Sequence, residues 1–91
     1  MPVRIEPSGD TVCDALRSRQ IGAHAFEILQ RSNVLTCAVG DDLVQEATAL
    51  LERTCGIRAE PSGALAMGAV LGGVVDQQHS RVWVIACGGN V

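Results

Sequence analysis

Four features of this 91-residue sequence could take part in chemistry: the carboxylate of Glu60, the start of a helix at Ser62-Gly63, the thiol of Cys87, and the Gly88-Gly89 pair that follows it. Glu60 stands just before the helix start, and Cys87 ends an apolar run. In an open parallel sheet, ligands bind beyond the carboxyl ends of the strands. If the runs ending at Glu60 and Cys87 are parallel strands, both residues fall on one sheet edge. A helix N-terminus there offers unpaired N–H groups, and glycine allows a backbone to approach a ligand closely. Taken singly, each feature also has an ordinary structural role. Glu60 can sit as a carboxylate favoured by a helix dipole, Cys87 can fill a core, and Gly88-Gly89 can form a turn. Only their convergence on one edge makes a site.

Other chemistry is excluded or poorly supplied. The chain has seven Arg and no Lys, so no side chain can form a Schiff base. Cys13, Cys37, Cys55 and Cys87 form no CxxC pair, and His24 and His79 lie far apart in sequence, which speaks against zinc. There is no GxSxG, GxxxxGK or HExxH segment. His24 reads as a solvated helix residue, and Arg17 with Arg19 as surface. A net charge of −3 and 2% aromatic residues leave neither a phosphate-tracking surface nor a base-stacking platform, so nucleic acid is not an expected partner. The longest apolar stretch, residues 64–75, is too short to cross a bilayer, and the N-terminus carries no signal-peptide pattern. A reduced, cytoplasmic setting is the expectation.

Positioning these groups requires a folded domain, and 47% hydrophobic against 19% charged residues rules out disorder. With so few aromatics, the core must be built from Val, Ile, Leu and Ala. Residues 1–12, with Pro2, Pro7 and Gly9, read as an extended lead-in. Residues 23–31 read as a helix with Phe26 and Leu29 on one side. Residues 34–39 form a short apolar run suited to a buried strand. Leu43, Val44, Ala47, Leu50 and Leu51 then mark one face of a helix. Asp41 and Asp42 precede that face, Gln45 stands at capping-box spacing from Asp42, and Gly56 follows it. Residues 57–60 read as a strand end, and Pro61-Ser62 opens a helix of small residues stopped by Gly72-Gly73. That small-residue stripe predicts tight packing of the helix on a sheet. Residues 81–87 read as a second buried strand. The expected architecture is therefore a single α/β domain over residues 1–91: a short, three-layer, parallel β-α-β-α-β unit with right-handed crossovers.

Glu60-Pro61-Ser62-Gly63-Ala64-Leu65-Ala66, followed by Val84-Ile85-Ala86-Cys87-Gly88-Gly89-Asn90-Val91, resembles the C-terminal part of the threonine/serine dehydratases. These are pyridoxal-phosphate enzymes of the tryptophan synthase β-like fold. Residues 9–16 (Gly-Asp-Thr-Val-Cys-Asp-Ala-Leu) are similar to that family's Thr-x-x-Asp-Gly-Leu segment, and Ala38-Val39-Gly40-Asp41-Asp42 to its Val-Ser-Asp-x-Glu helix start. The resemblance implies that Cys87 stands against the pyridine nitrogen of pyridoxal 5′-phosphate. A neutral partner there would leave the nitrogen largely unprotonated and moderate the electron sink. It further implies that Glu60, Gly88, Gly89, Asn90 and Ala15 lie on the cofactor side, and Asp14 and Ser18 on the substrate side. Ala15 departs from the family's usual Gly.

The Schiff-base Lys, the substrate loop and the Gly-rich phosphate loop of the family have no counterpart in these residues, so no catalytic residue is assigned. The resemblance implies a C-terminal portion of a hydroxy-amino-acid ammonia-lyase, inactive alone and inclined to associate through exposed apolar surface or as a homo-oligomer. Its substrate would be a small hydroxy amino acid. A stand-alone, non-catalytic α/β binding or assembly module derived from the same family is the alternative.

Overall fold

Asp41 begins the longest regular element, and the physics of its two ends explains its length. The computed structural model describes residues 2–6, 9–74 and 80–89. Within them lie α1 (Ala23–Arg31), α2 (Asp41–Cys55) and α3 (Leu65–Leu71), with short 3-10 turns at Asp14–Leu16 and Pro61–Ala64. Asp41 and Asp42 occupy the first turn of α2, where carboxylates are favoured by the helix dipole. Gly40 is the N-cap and no side chain caps the helix, so the expected Asp42–Gln45 box does not form. At the other end Gly56 adopts φ 67°, its N–H bonds the Glu52 carbonyl, and the Ile57 N–H bonds the Leu51 carbonyl at 3.1 Å. The Gly56-to-Glu52 bond is that of the αL closure, which needs a left-handed residue and hence favours glycine.

The core is helix on helix. Val44, Ala47 and Leu51 are buried along one face of α2, as the periodicity predicts, and Leu43 and Leu50 are half-buried beside them. Ala47, Leu51, Ala59 and Ala64 cluster together, with Met67 and Leu71 closing over them. The small-residue stripe lets α3 approach closely: a Cβ at Gly68 would press on Val39 Cγ1 at 3.3 Å, and one at Gly72 would meet Leu43 Cδ1 at 2.7 Å. The stripe thus serves α2–α3 packing and not the helix-to-sheet packing expected from sequence.

The larger correction concerns the sheet. No strand occurs among the described residues, so the three-layer, parallel β-α-β-α-β unit is not formed. Residues 34–39, 57–60 and 81–87 do run between the helices where strands were expected. Apolar, β-branched content suits a strand, but a strand exists only when its N–H and C=O groups find a ladder. The backbones of residues 34–39 and 81–86 make no hydrogen bond to any other described backbone group. Nor are these runs buried. Leu35 is 95% exposed, Trp83 96% and Ile85 78%. α1 is likewise unpacked: none of its residues is buried, and Phe26 and Leu29 share a groove of about 370 Å³ with Ile21 and Val34.

Val44 is fully buried, and it anchors the α2 face. Removing two of its carbons costs transfer free energy plus a cavity, roughly 2 kcal/mol. Val44→Ala should lower the urea midpoint accordingly, whereas Val82→Ala, on an exposed run, should leave it nearly unchanged.

Candidate functional site

Glu60 and Cys87, the two residues that open the sequence-based site, are brought together by a backbone clasp. The Glu60 N–H donates to the Gly88 carbonyl at 2.8 Å, and the Cys87 N–H donates to the Gly63 carbonyl at 3.2 Å. The Pro61–Ala64 turn is held by the Glu60 carbonyl, which accepts from the Gly63 and Ala64 N–H groups at 2.9 and 3.1 Å. Pro61 supplies the fixed φ that begins such a turn and has no N–H to leave unpaired. Two glycines make the approach possible. A Cβ on Gly63 would overlap the Cys87 carbonyl, and a Cβ on Gly88, at φ +75°, would overlap the Glu60 side chain. Gly63 is buried under this contact, while the Cys87 side chain is exposed.

The carboxylate of Glu60 does not cap the turn; only its carbonyl does. The dipole role open to Glu60 from sequence is therefore not backed by a side-chain hydrogen bond. Gly89 is exposed, and a Cβ there would reach only the Arg58 carbonyl at 3.4 Å. Asn90 lies outside the described residues.

A second layer of contacts adds the Asp14–Leu16 turn to this site. The Ala15 N–H donates to Ser62 Oγ at 3.2 Å, across 47 residues of sequence. The same segment is fastened to the start of α2 through Asp41. One carboxylate oxygen accepts from the Thr11 hydroxyl at 2.6 Å, the other from the Val12 N–H at 3.0 Å, and Thr11 Oγ1 in turn accepts from the Cys13 N–H at 3.1 Å. Asp14 and Ala15 are thereby set beside Ser62 and the clasp. Ser18 is not; it is exposed and lines a separate groove with Thr11, Arg17 and Leu16. Ser62 enters the sequence-based site as part of a helix start, but its hydroxyl contact is not foreseen there, and neither Thr11 nor Asp41 is singled out as site-forming. Their partners lie about 30 to 47 residues away, and no local pattern signals a contact at that separation.

Among the four thiols, all free, only Cys13 is buried. Desolvation pushes its pKa above the ordinary thiol value of 9.0, and the carboxylates of Asp41 and Asp14 push the same way. Hydrogen bonds with Thr11 and Ser62 partly oppose them. His24, Arg17 and Arg19 are exposed as expected, with Arg19 3.6 Å from Glu6. No group of His, Cys, Asp and Glu among the described residues could hold a metal ion, and no described helix is long and apolar enough to cross a membrane.

With this geometry defined, the chain can be set beside known proteins. No family model matches it, and no curated protein does. Among solved structures it resembles part of an enzyme chain, the T.th. threonine deaminase. The two are 31% identical and superpose with a TM-score of 0.73 over 84% of this chain. The match covers 26% of the deaminase, so the chain spans about a quarter of that protein's length.

Two outcomes test this arrangement. In Gly63→Ala the new methyl must push the Cys87 carbonyl away, at about 1–3 kcal/mol. The Glu60 and Cys87 amides should then lose hydrogen-exchange protection, while the α2 amides keep theirs. Separately, alkylation at pH 8 should modify Cys37, Cys55 and Cys87 quickly and Cys13 only on unfolding. Because folding raises the Cys13 pKa, its stabilising contribution is complete below pH 9.0 and declines as pH rises through the folded value. The melting temperature should therefore fall more steeply above pH 9 in the wild type than in Cys13→Ala.

Proposed function

We propose that these residues form the C-terminal portion of a pyridoxal-phosphate-dependent threonine/serine dehydratase, building one wall of its cofactor site. The observation that carries this reading is the glycine-dependent clasp between residues 60–63 and 87–88. It joins the two segments that resemble the dehydratases, in a chain that superposes on part of a threonine deaminase. Pyridoxal phosphate, when bound, supplies the electron sink for removing the α-proton and expelling the β-hydroxyl of a hydroxy amino acid.

The residues present fit one side of that group. The Cys87 thiol is free and exposed at the clasp, so it is available to meet a ring nitrogen. The residue's backbone N–H, donating to the Gly63 carbonyl, ties it to the turn behind. Glu60 packs its side chain against Gly88, and Gly89 beyond it is exposed. Ala15, whose N–H is held on Ser62, joins the cofactor side, and Asp14 next to it the substrate side. Ala15 stands where the resemblance implies glycine. The covalent work falls to residues outside this chain, since it has no Lys. The 2-oxo acid and ammonia would thus be products of a larger protein, working in the cytoplasm, to which this chain contributes positioning alone.

Incubation with pyridoxal phosphate followed by borohydride should fix cofactor only at the α-amino terminus. An adduct on any side chain would overturn the reading. Weak cofactor binding, followed by the cofactor's own absorbance, should be lost in Cys87→Ala and kept in Cys55→Ala. Equal binding by the two variants would remove Cys87 from the site.

A further inference from the structure

Of residues 9–22, Cys13 alone is buried. The segment around it is therefore held with little apolar burial, by a file of polar groups that joins two elements far apart in sequence. At one end the Asp41 carboxylate accepts from the Thr11 hydroxyl at 2.6 Å and from the Val12 N–H at 3.0 Å. Thr11 Oγ1 accepts in turn from the Cys13 N–H at 3.1 Å. The Cys13 thiol meets the Ser62 hydroxyl, and Ser62 Oγ accepts from the Ala15 N–H at 3.2 Å. The Leu16 N–H closes the turn on the Cys13 carbonyl at 3.0 Å, so Asp14 and Ala15 lie inside a loop that Cys13 begins.

We propose that Asp41 is a positioning residue for Asp14 and Ala15, acting through Thr11 and Cys13 without a bond to either of the residues it places. Only the links to Asp41 end on a carboxylate, and charge-assisted hydrogen bonds are about twice as strong as neutral ones. Ordering a backbone segment for a few neutral bonds is unfavourable, so the Ala15–Ser62 bond forms while Asp41 holds the segment in place. Asp41 has no competing duty at its own helix, whose start carries no side-chain cap. Asp42 stands in the same first turn, is exposed, and holds neither Thr11 nor Val12. It brings the same charge to the helix dipole without a grip on the loop, which makes it the control. The inference rests on the dehydratase reading only for what the placed residues face, substrate for Asp14 and cofactor for Ala15.

Amide hydrogen exchange and thiol alkylation of the intact 91-residue protein test this coupling. In Asp41→Ala the Val12 amide loses its acceptor directly. The Ala15 amide, whose own acceptor is untouched, should nonetheless exchange about tenfold faster or more. Cys13 should be alkylated without denaturant, again about tenfold faster or more than in the wild type. The amides of Ala47 and Leu51 in α2, and those of Glu60 and Cys87, should keep their protection. Asp42→Ala should match the wild type throughout. Asp41→Asn, which keeps one acceptor oxygen, should fall between the wild type and Asp41→Ala. Coupling is reciprocal, so Ser62→Ala should speed exchange at Val12, and adding Asp41→Ala to it should speed Ala15 no further.

Wild-type exchange at Ala15 in Asp41→Ala would overturn the proposal, because Val12 and Ala15 would then be anchored independently. Equal effects from Asp42→Ala would do the same by tracing them to helix charge. So would loss of protection in α2 or at the Glu60 and Cys87 amides, which would make Asp41 a support of the whole fold. None of these measurements involves cofactor. A failed Cys87 binding test would withdraw the dehydratase reading and leave the coupling intact, whereas failure here leaves that reading to the Cys87 test.

Discussion

Gly63 and Gly88 allow two stretches of chain, some 25 residues apart, to meet backbone to backbone, and the rest of the site depends on that meeting. Two N–H groups, of Glu60 and Cys87, are satisfied across the contact, and a Cβ added at Gly63 would overlap the Cys87 carbonyl. Net hydrogen-bond energies are only about 1 kcal/mol each, so the clasp is set more by the absence of atoms than by attraction. Where two main chains must touch, glycine is the residue that permits it. The consequence is that the Cys87 backbone is tied to the Pro61–Ala64 turn while its thiol is exposed.

The remaining part of the site is hung from Asp41. Its carboxylate does not cap its own helix; it accepts from Thr11 and Val12 and so draws the lead-in segment onto the start of α2. Ser62 completes the tie by accepting from Ala15. The α2–α3 pair, packed through Ala and Gly, sets the distance between these two anchors. Site and core are therefore one construction, in which small residues bring helices close and short polar side chains fix a loop that has little burial of its own.

Exposed apolar surface is the other property that organises the molecule. α1 and the two β-branched runs bury almost nothing, and the large side chains Leu35, Trp83 and Ile85 face outward. Trp83 lies on an apolar groove above α3, and Phe26 and Leu29 on another beside α1.

Helix positions were legible in the residues because helices close their hydrogen bonds locally. The periodicity of Leu43 to Leu51 and the glycine at 56 place α2, and the span Ala23–Arg31 matches α1 as read. The pairing of Glu60-Pro-Ser-Gly with Cys87-Gly-Gly could be anticipated only as two segments sharing an edge. The edge turned out to be a clasp between loops, not the rim of a sheet. Strands were misread for a definite reason: β-branched, apolar composition records a readiness to pair, and pairing needs a partner that local sequence does not contain. The sequence by itself thus determined the helices, the chemistry of the side chains and the lack of any Lys. Only the tertiary structure decided that Asp41 holds a distant loop, that the small-residue stripe faces another helix, and that the runs at 34–39 and 81–86 stand unpaired. Contacts between residues far apart in the chain depend on which surfaces meet, and that is settled by packing the whole molecule.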